Sequence, residues 1–488
     1  MRQQRLMAVS LLSLVGALAG VVLPRESAHA QAVGGPLPRV PKPPNLVQLE
    51  PIEQLGKDML YDNTMSDPSG YACAQCHSRT TGFTSGLESI VNERGGPQPG
   101  IIPGRFGPRK PMSYAYAAFS PEGPFFDAQN AVFIGGNFWD GRAFDTTVQA
   151  QGPPINPNEM NNTPEGVAPN QFPPLLIQKL QARPYTPLIM QIFGPDVFTK
   201  FTPRQIYEIW GEAIAAYEAS GEICAFSSQF DASQFGTPPQ NLYTLTPSEE
   251  RGRQLYFGQA QCSLCHSSLG LQAVQIETEG KDTFTMYCYA NIGVPKNPGN
   301  PFYANTDPVS NPTGFNPLGR NFIDFGLGGN AVGSLDGTKF FNNTPGDIAE
   351  FRGLFQTPTT RNVDLRPTPG FVKAYMHNGV FKSLAEVVHF YNKRNIAVDA
   401  AGNEVAFDLR NGPPAGTTRL FPPPEVIDNV QNVAGLTPAQ AAAMGVAGVT
   451  ATNGQVGNLG LNATQEADLV NFLMILSDGF TPPNPIGN

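Results

Sequence analysis

The sequence predicts a mainly α-helical chain of two like halves, carrying long irregular loops and insertions, and three observations predict it. A five-residue pattern occurs twice, as CAQCH at 73–77 and CSLCH at 262–266. Each copy follows a similar amphipathic segment, LGKDMLYD at 55–62 and RGRQLYFG at 251–258. The chain has 48 prolines and 51 glycines and only 15% charged residues, yet 40% of it is hydrophobic. Such a composition suits a loop-rich globular protein and not a disordered one.

The elements follow in chain order. Residues 1–30 carry Arg2 and Arg5, an apolar stretch at 6–23 and then Ala28-His29-Ala30, the form of a cleavable secretory leader. No other stretch is apolar enough to cross a bilayer, and no cysteine follows the cleavage site to take a lipid. The expected location is the periplasm of a Gram-negative bacterium. The leader carries three arginines and one glutamate, so its removal takes the formal charge from -9 to -11. An acidic surface argues against nucleic acid as a partner.

A first half over 45–225 opens on the helix that leads into CAQCH. It closes on another, in which Ile206, Ile209, Trp210, Ala213, Ile214 and Tyr217 recur at helical spacing. Residues 225–245 turn polar and proline-bearing, as a linker does. The second half, over 240–480, starts at Thr246-Pro247-Ser248-Glu249, a hydroxyl cap followed by Pro and Glu in a first helical turn. Stretches at 296–348 and 396–458, rich in Asn, Gly and Pro, read as surface insertions, and 464–476 reads as an amphipathic closing helix.

Two cysteines two apart with a histidine directly after them form the attachment site of haem c: the thiols take the vinyl groups and the imidazole takes the iron. The sequence therefore predicts two covalently bound haems, one on Cys73, Cys76 and His77 and one on Cys262, Cys265 and His266. A redox CxxC in each half, or one zinc on four cysteines, leaves both histidines unexplained. Cys224 and Cys288 remain; in an oxidising compartment they are candidates for a disulfide, which sequence alone does not decide.

Further motifs narrow the class. NFWDGRA from residue 137, QAQGPPINPNEM from 149, and later TPTTRNV, AYMHNG and LAEVVHFYN resemble, in the same order, the bacterial dihaem cytochrome c peroxidase family that includes the MauG enzymes. The resemblance runs from about residue 50 to 476, interrupted by the insertions. It implies two cytochrome c-like haem domains, the first peroxidatic. It also implies that Trp139 relays electrons between the haems, and that Gln149, Pro153 and Glu159 line the distal face of the first. His377, in AYMHNG, is implied as a supporting residue beside the second haem; a structural turn histidine is the other reading.

The chemistry agrees with that assignment. Splitting a peroxide bond at iron needs a free coordination position and a group that moves a proton between the two oxygens, work suited to a carboxylate. Glu159 fits, and the Gly152-Pro153-Pro154 turn would aim it. On residues alone, Glu159 reads first as a solvated loop or cap residue and Trp139 as a core aromatic; the resemblance reverses that order. Standard members of the family carry a distal histidine after the first motif, whereas residues 78–136 contain none. The first haem is therefore expected to be five-coordinate.

The second haem needs a ligand opposite His266. In LAEVVHFYN, Leu384, Val388 and Tyr391 share one helical face, and His389 lies about 200° from Tyr391. Tyr391 points inward, and the resemblance aligns it with the axial tyrosine of MauG enzymes. A plain core tyrosine, His389 and Met376 are the alternatives. Tyrosinate favours oxidised iron, whereas methionine raises the reduction potential. The family commonly holds calcium between its domains, on an Asn ahead of FWDGRA and a Thr-x-Pro ahead of YMHNG. Here Lys110 takes the Asn position and Thr368-Pro369 lies too early, so calcium is open and an ammonium is its alternative occupant.

The expected function is a periplasmic oxidoreductase that takes hydrogen peroxide at the first haem and electrons from a donor protein, of MauG-like type. A cytochrome c peroxidase fed by a small cytochrome, and a non-enzymatic electron carrier, are the alternatives; a dihaem oxygenase acting on an organic substrate is a further one.

Overall fold

The computed structural model describes residues 48–86, 88–128, 132–162, 174–234, 242–304, 316–329, 349–430 and 456–480. Pro38–Asn488 is one compact unit; the other unit, Met1–Leu37, which contains the predicted leader, lies outside the described residues. Much of both predicted insertions also lies outside them.

Helices dominate, and the strands are two or three residues long. Five helices frame the haem motifs: α1 (Pro51–Tyr61), α2 (Pro203–Glu218), α3 (Pro247–Phe257), α4 (Leu384–Lys393) and α5 (Ala463–Met474). Four of the five starts are capped by a side chain. Thr202 and Thr246 accept through their hydroxyls from the amides of Gln205 and Glu249, each followed by proline in the first turn. Ser383 and Asn462 accept in the same way from Glu386 and Gln465. The apolar face predicted for α2 is buried throughout, from Ile206 to Tyr217.

Two hydrophobic clusters result. One gathers Leu55 and Met59 of α1 with Ile209, Trp210 and Ala213 of α2; the other gathers Tyr256 of α3, Leu384 and Val388 of α4 and Phe472 of α5. The repeat segments have the same packing device in both. A Cβ on Gly56 of α1 would lie 1.8 Å from the Ala213 carbonyl oxygen of α2. A Cβ on Gly252 of α3 would lie 2.0 Å from the Asp468 carbonyl oxygen of α5. Only a residue without a side chain lets each pair of backbones approach this closely.

Strands β1 (Phe125–Asp127) and β2 (Val132–Ile134) pair antiparallel, as do β3 (Tyr289–Ala290) and β4 (Phe355–Gln356). The stretch from residue 396, read from composition as an irregular surface insertion, instead begins with a three-stranded antiparallel sheet of β5 (Ile396–Val398), β6 (Glu404–Ala406) and β7 (Thr418–Arg419), with β5 central. Ile396 and Ala397 are buried. Strands this short fall below the length at which alternation shows in a sequence. Among the described residues no helix is long and apolar enough to cross a membrane.

Candidate active site

Each CxxCH motif forms a single turn, helical at Cys73–Cys76 and 3₁₀ at Cys262–Leu264, that sets its two thiols and its histidine along one cavity. His77 donates from Nδ1 to the Phe83 carbonyl at 3.0 Å, and His266 from Nδ1 to the Pro358 carbonyl at 3.0 Å. A carbonyl cannot donate, so Nδ1 carries the proton in both rings and Nε2 keeps its lone pair for a metal. Burial brings both imidazoles down to about pKa 4, which keeps them neutral.

The first cavity, about 430 Å³, is lined by Cys73, Cys76 and His77 together with Gln149, Pro153 and Glu159. The loop bearing these last three is fixed from below by α2. Tyr207 of α2 donates its hydroxyl to the Gln151 carbonyl, and Trp210 donates its indole N–H to the Ala150 carbonyl at 3.1 Å. Asp145 caps the short helix Thr146–Ala150 by accepting from the Val148 amide at 2.8 Å. Pro153 accepts through its carbonyl from the amides of Asn156 and Met160. Glu159 lines the cavity and accepts from Asn156 Nδ2 at 2.9 Å. Burial raises its carboxyl pKa, and Arg142 and Asn156 oppose the rise. His77 is the only histidine lining this cavity among the described residues.

The second cavity, about 190 Å³, is lined by Cys262, Cys265 and His266 and, from α4, by Leu384, Val388 and Tyr391. Met376 and His377 also line it. His389 does not: its side chain is half-exposed and meets Glu466 at 3.1 Å. The helical phase thus separates Tyr391 from His389. Burial raises the Tyr391 phenol above its ordinary pKa, so ionisation would need a cation beside the oxygen.

Trp139 lines both cavities, as do Gln356, Thr357, Pro358 and Thr359. Its Nε1–H donates to the Lys110 carbonyl at 2.9 Å, and its own carbonyl accepts from the Gln356 amide of β4 at 2.8 Å. His377 stacks on Phe355 at 3.6 Å between ring centres and meets Trp139 edge-on at 6.4 Å. Its Nε2 is buried with no hydrogen-bond partner among the described residues.

Sequence reasoning missed the ion network that holds the FWDGRA segment. Arg109 pairs with Asp140 at 2.6 Å and with Asp324 at 2.7 Å, and Arg142 pairs with Asp140 at 2.9 Å while covering the Phe138 ring. Burial alone would raise the Asp140 pKa, yet the two arginines hold it below its usual range. It also missed Tyr114 and Glu218, which line the first cavity. No local pattern marks them; the one available signal was the basic pair Arg109-Lys110 in an acidic chain.

Buried polar atoms ordinarily have partners. Around the first cavity Gln98 Nε2, Tyr114 OH, Asn137 Nδ2 and Glu218 Oε2 have none among the described residues, and His377 Nε2 is in the same position at the second. Orphaned polar atoms on the wall of a cavity, beside paired thiols and a neutral imidazole, fit a large flat group with polar edges. Haem is such a group. The Lys110 ammonium, at the position where the family has its calcium-holding Asn, donates to Thr84 Oγ1 at 3.0 Å and the Pro111 carbonyl at 3.1 Å. Cys224 donates to the Glu218 carbonyl and Cys288 meets Thr357 Oγ1, each at 3.2 Å, and neither is in a disulfide.

Comparison with known proteins shows the family. The family model described as di-haem cytochrome c peroxidase matches residues 50–237. The methylamine utilization protein MauG of Paracoccus denitrificans is 31% identical over 351 residues, covering 70% of this chain and 74% of the relative. The cytochrome-c peroxidase IdrP1 of Denitromonas iodatirespirans is 26% identical over 364 residues, covering 73% of this chain and 77% of the relative. The solved diheme peroxidase BthA of Burkholderia thailandensis superposes with a TM-score of 0.59 at 26% identity, over 90% of this chain and 89% of its own. The chain belongs to the di-haem cytochrome c peroxidase and MauG family and is a peroxidase-class haem oxidoreductase.

Proposed function

We propose that the protein is a periplasmic dihaem oxidoreductase of MauG-like type, with its two haem-bearing halves as cytochrome c-like domains. Cys73, Cys76 and His77 hold the first haem c, and Cys262, Cys265 and His266 the second. When bound, the haems supply the iron that takes peroxide and the orbitals that carry electrons. The chain does the rest. Glu159 accepts a proton from the near oxygen of hydrogen peroxide and returns it to the far one. Gln149 and Pro153 shape the space in which the peroxide lies. Tyr391 would hold the iron of the second haem together with His266, Trp139 would carry electrons between the two cavities, and His377 would support the second haem. The electrons come from a donor protein, a small cytochrome or a protein whose side chain is oxidised.

The observation that carries this reading is the division of labour between two cavities that share the Trp139 wall. One has a carboxylic acid and, among the described residues, no second histidine; the other has an inward tyrosine in the same cavity as its histidine. Optical and EPR titration with hydrogen peroxide tests it. A high-spin ferric signal in the resting protein, consumed by peroxide together with oxidation at the second haem, is expected. Only low-spin iron, inert to peroxide, would refute it.

A second reading has its own support. Met376 also lines the second cavity. With Met376 on the iron, the second haem would have a higher potential and suit a cytochrome c peroxidase fed by a small cytochrome. Rapid peroxide-driven oxidation of a reduced cytochrome, with a methionine-to-iron band in the optical spectrum, would favour it.

A further inference from the structure

Lys110 touches Trp139, which lines both cavities, and His377, which lines the second. Its carbonyl accepts from Trp139 Nε1–H at 2.9 Å, and its amide donates to the His377 carbonyl at 2.9 Å. Its ammonium lies 5.7 Å from the centre of the Trp139 ring. The same ammonium donates to Thr84 Oγ1, on the loop that also supplies the Phe83 carbonyl to His77. The side chain is buried, at 8% exposure, and the oxygens recorded against it are a hydroxyl and a carbonyl, neither charged. A buried cation without a carboxylate opposite is costly to keep. One that stands against an electron relay calls for a role there.

The role follows from charge. A cation near the face of a neutral indole is attracted to it. The same cation repels an indole that has lost an electron, and at this range in a low-polarity interior the repulsion is strong. The Nε1 proton of Trp139 is held on a neutral carbonyl, with no base to remove it, so the oxidised ring would be a cation. In each transfer one electron leaves the indole toward the first haem and one returns from the second. Hydrogen peroxide is the oxidant; it takes two electrons and two protons and ends as two molecules of water.

We propose that the Lys110 ammonium acts as a fixed cation that prevents an oxidising equivalent from settling on Trp139, so that the indole passes electrons without accumulating as a radical. Lys110 is a positioning residue in this scheme, acting through Trp139. The inference rests on the relay reading of Trp139 and adds what keeps that relay from being consumed by its own oxidation.

The test uses the holoenzyme at about pH 6, below the value of about 7 to which burial brings this lysine, so that the ammonium is charged. Wild type, Lys110→Met and Lys110→Arg are mixed with one equivalent of hydrogen peroxide, frozen within milliseconds and examined by high-field EPR for an indole radical. Lys110→Met should show at least tenfold more radical than wild type. Lys110→Arg, which keeps the charge, should stay near the wild-type level, and Lys110→Met combined with Trp139→Phe should lose the signal. If Lys110→Met does not take up haem, Lys110→Gln replaces it with the same expectation. Equal radical yields in wild type and the neutral variant would overturn the proposal. Trp139→Phe alone separates the two readings. If it leaves the rate of oxidation at the second haem unchanged, the relay assignment fails; if it slows that rate while Lys110→Met adds no radical, only the role of Lys110 fails.

Discussion

Asn156 donates its side-chain N–H to Glu159 Oε1 at 2.9 Å, so the carboxyl over the first cavity is held from within its own turn. Glu159→Gln keeps the shape and removes the proton exchange. Stopped-flow spectroscopy should show the reaction with hydrogen peroxide slowed by about 10²–10⁴-fold, with the resting spectrum unchanged. Because burial raises the carboxyl pKa, the ionised form needed to accept the first proton is lost as pH falls through that raised value. The wild-type rate should therefore drop on the acid side, and the variant should show no such limb.

The ligand of the second haem is decided by substitution. Tyr391→Met should raise its reduction potential by on the order of 0.1 V in a spectroelectrochemical titration, since the axial ligand is a main determinant of that potential. Met376→Leu should leave it unmoved. The reverse result would assign Met376 to the iron and turn the function toward the cytochrome c peroxidase reading.

Gly56 and Gly252 should each resist replacement. Alanine at either site must push apart two helices whose backbones are already in contact, at a cost of about 1–3 kcal/mol or more. Urea denaturation of Gly56→Ala and Gly252→Ala would measure it. Alanine at Gly270, where an added Cβ meets nothing within 4 Å, is the control.

Glu218 links stability to pH. Burial raises its carboxyl from 4.5 to about 8, and Oε2 has no partner. The folded protein holds this proton more tightly than the unfolded chain does. The resulting stability is fully present below about pH 4.5 and is lost as pH rises to about 8. Glu218→Gln should flatten that fall, so that at pH 8 the variant is more stable than wild type by on the order of a few kcal/mol. Thermal melts from pH 5 to 8 would show it; parallel curves would remove Glu218 from the account.

What was legible in the sequence was local. The haem motifs, the proline-flanked caps of α2 and α3 and the inward phase of Tyr391 each depend on residues within one or two turns of each other, where spacing and propensity act directly. His389, adjacent in sequence to the Tyr391 face, lies outside the cavity because the helical repeat turns it toward Glu466. What was not legible was long-range. Arg109 meets Asp324 across 215 positions, and Lys110 meets the Trp139 indole across 29. No periodicity connects residues that far apart. Gly56 and Gly252 stood in the repeated segments, but only the folded chain shows which carbonyl each of them admits.

The Pro358 carbonyl that orients His266 sits in a segment, 356–359, that walls both cavities. The imidazole of one haem therefore hangs from masonry that also encloses the other. Cutting the chain within 225–245, to express either repeat as a separate electron carrier, would leave the severed N-terminal half without part of its enclosure. The duplication is thus visible in the sequence but is no longer divisible in the fold.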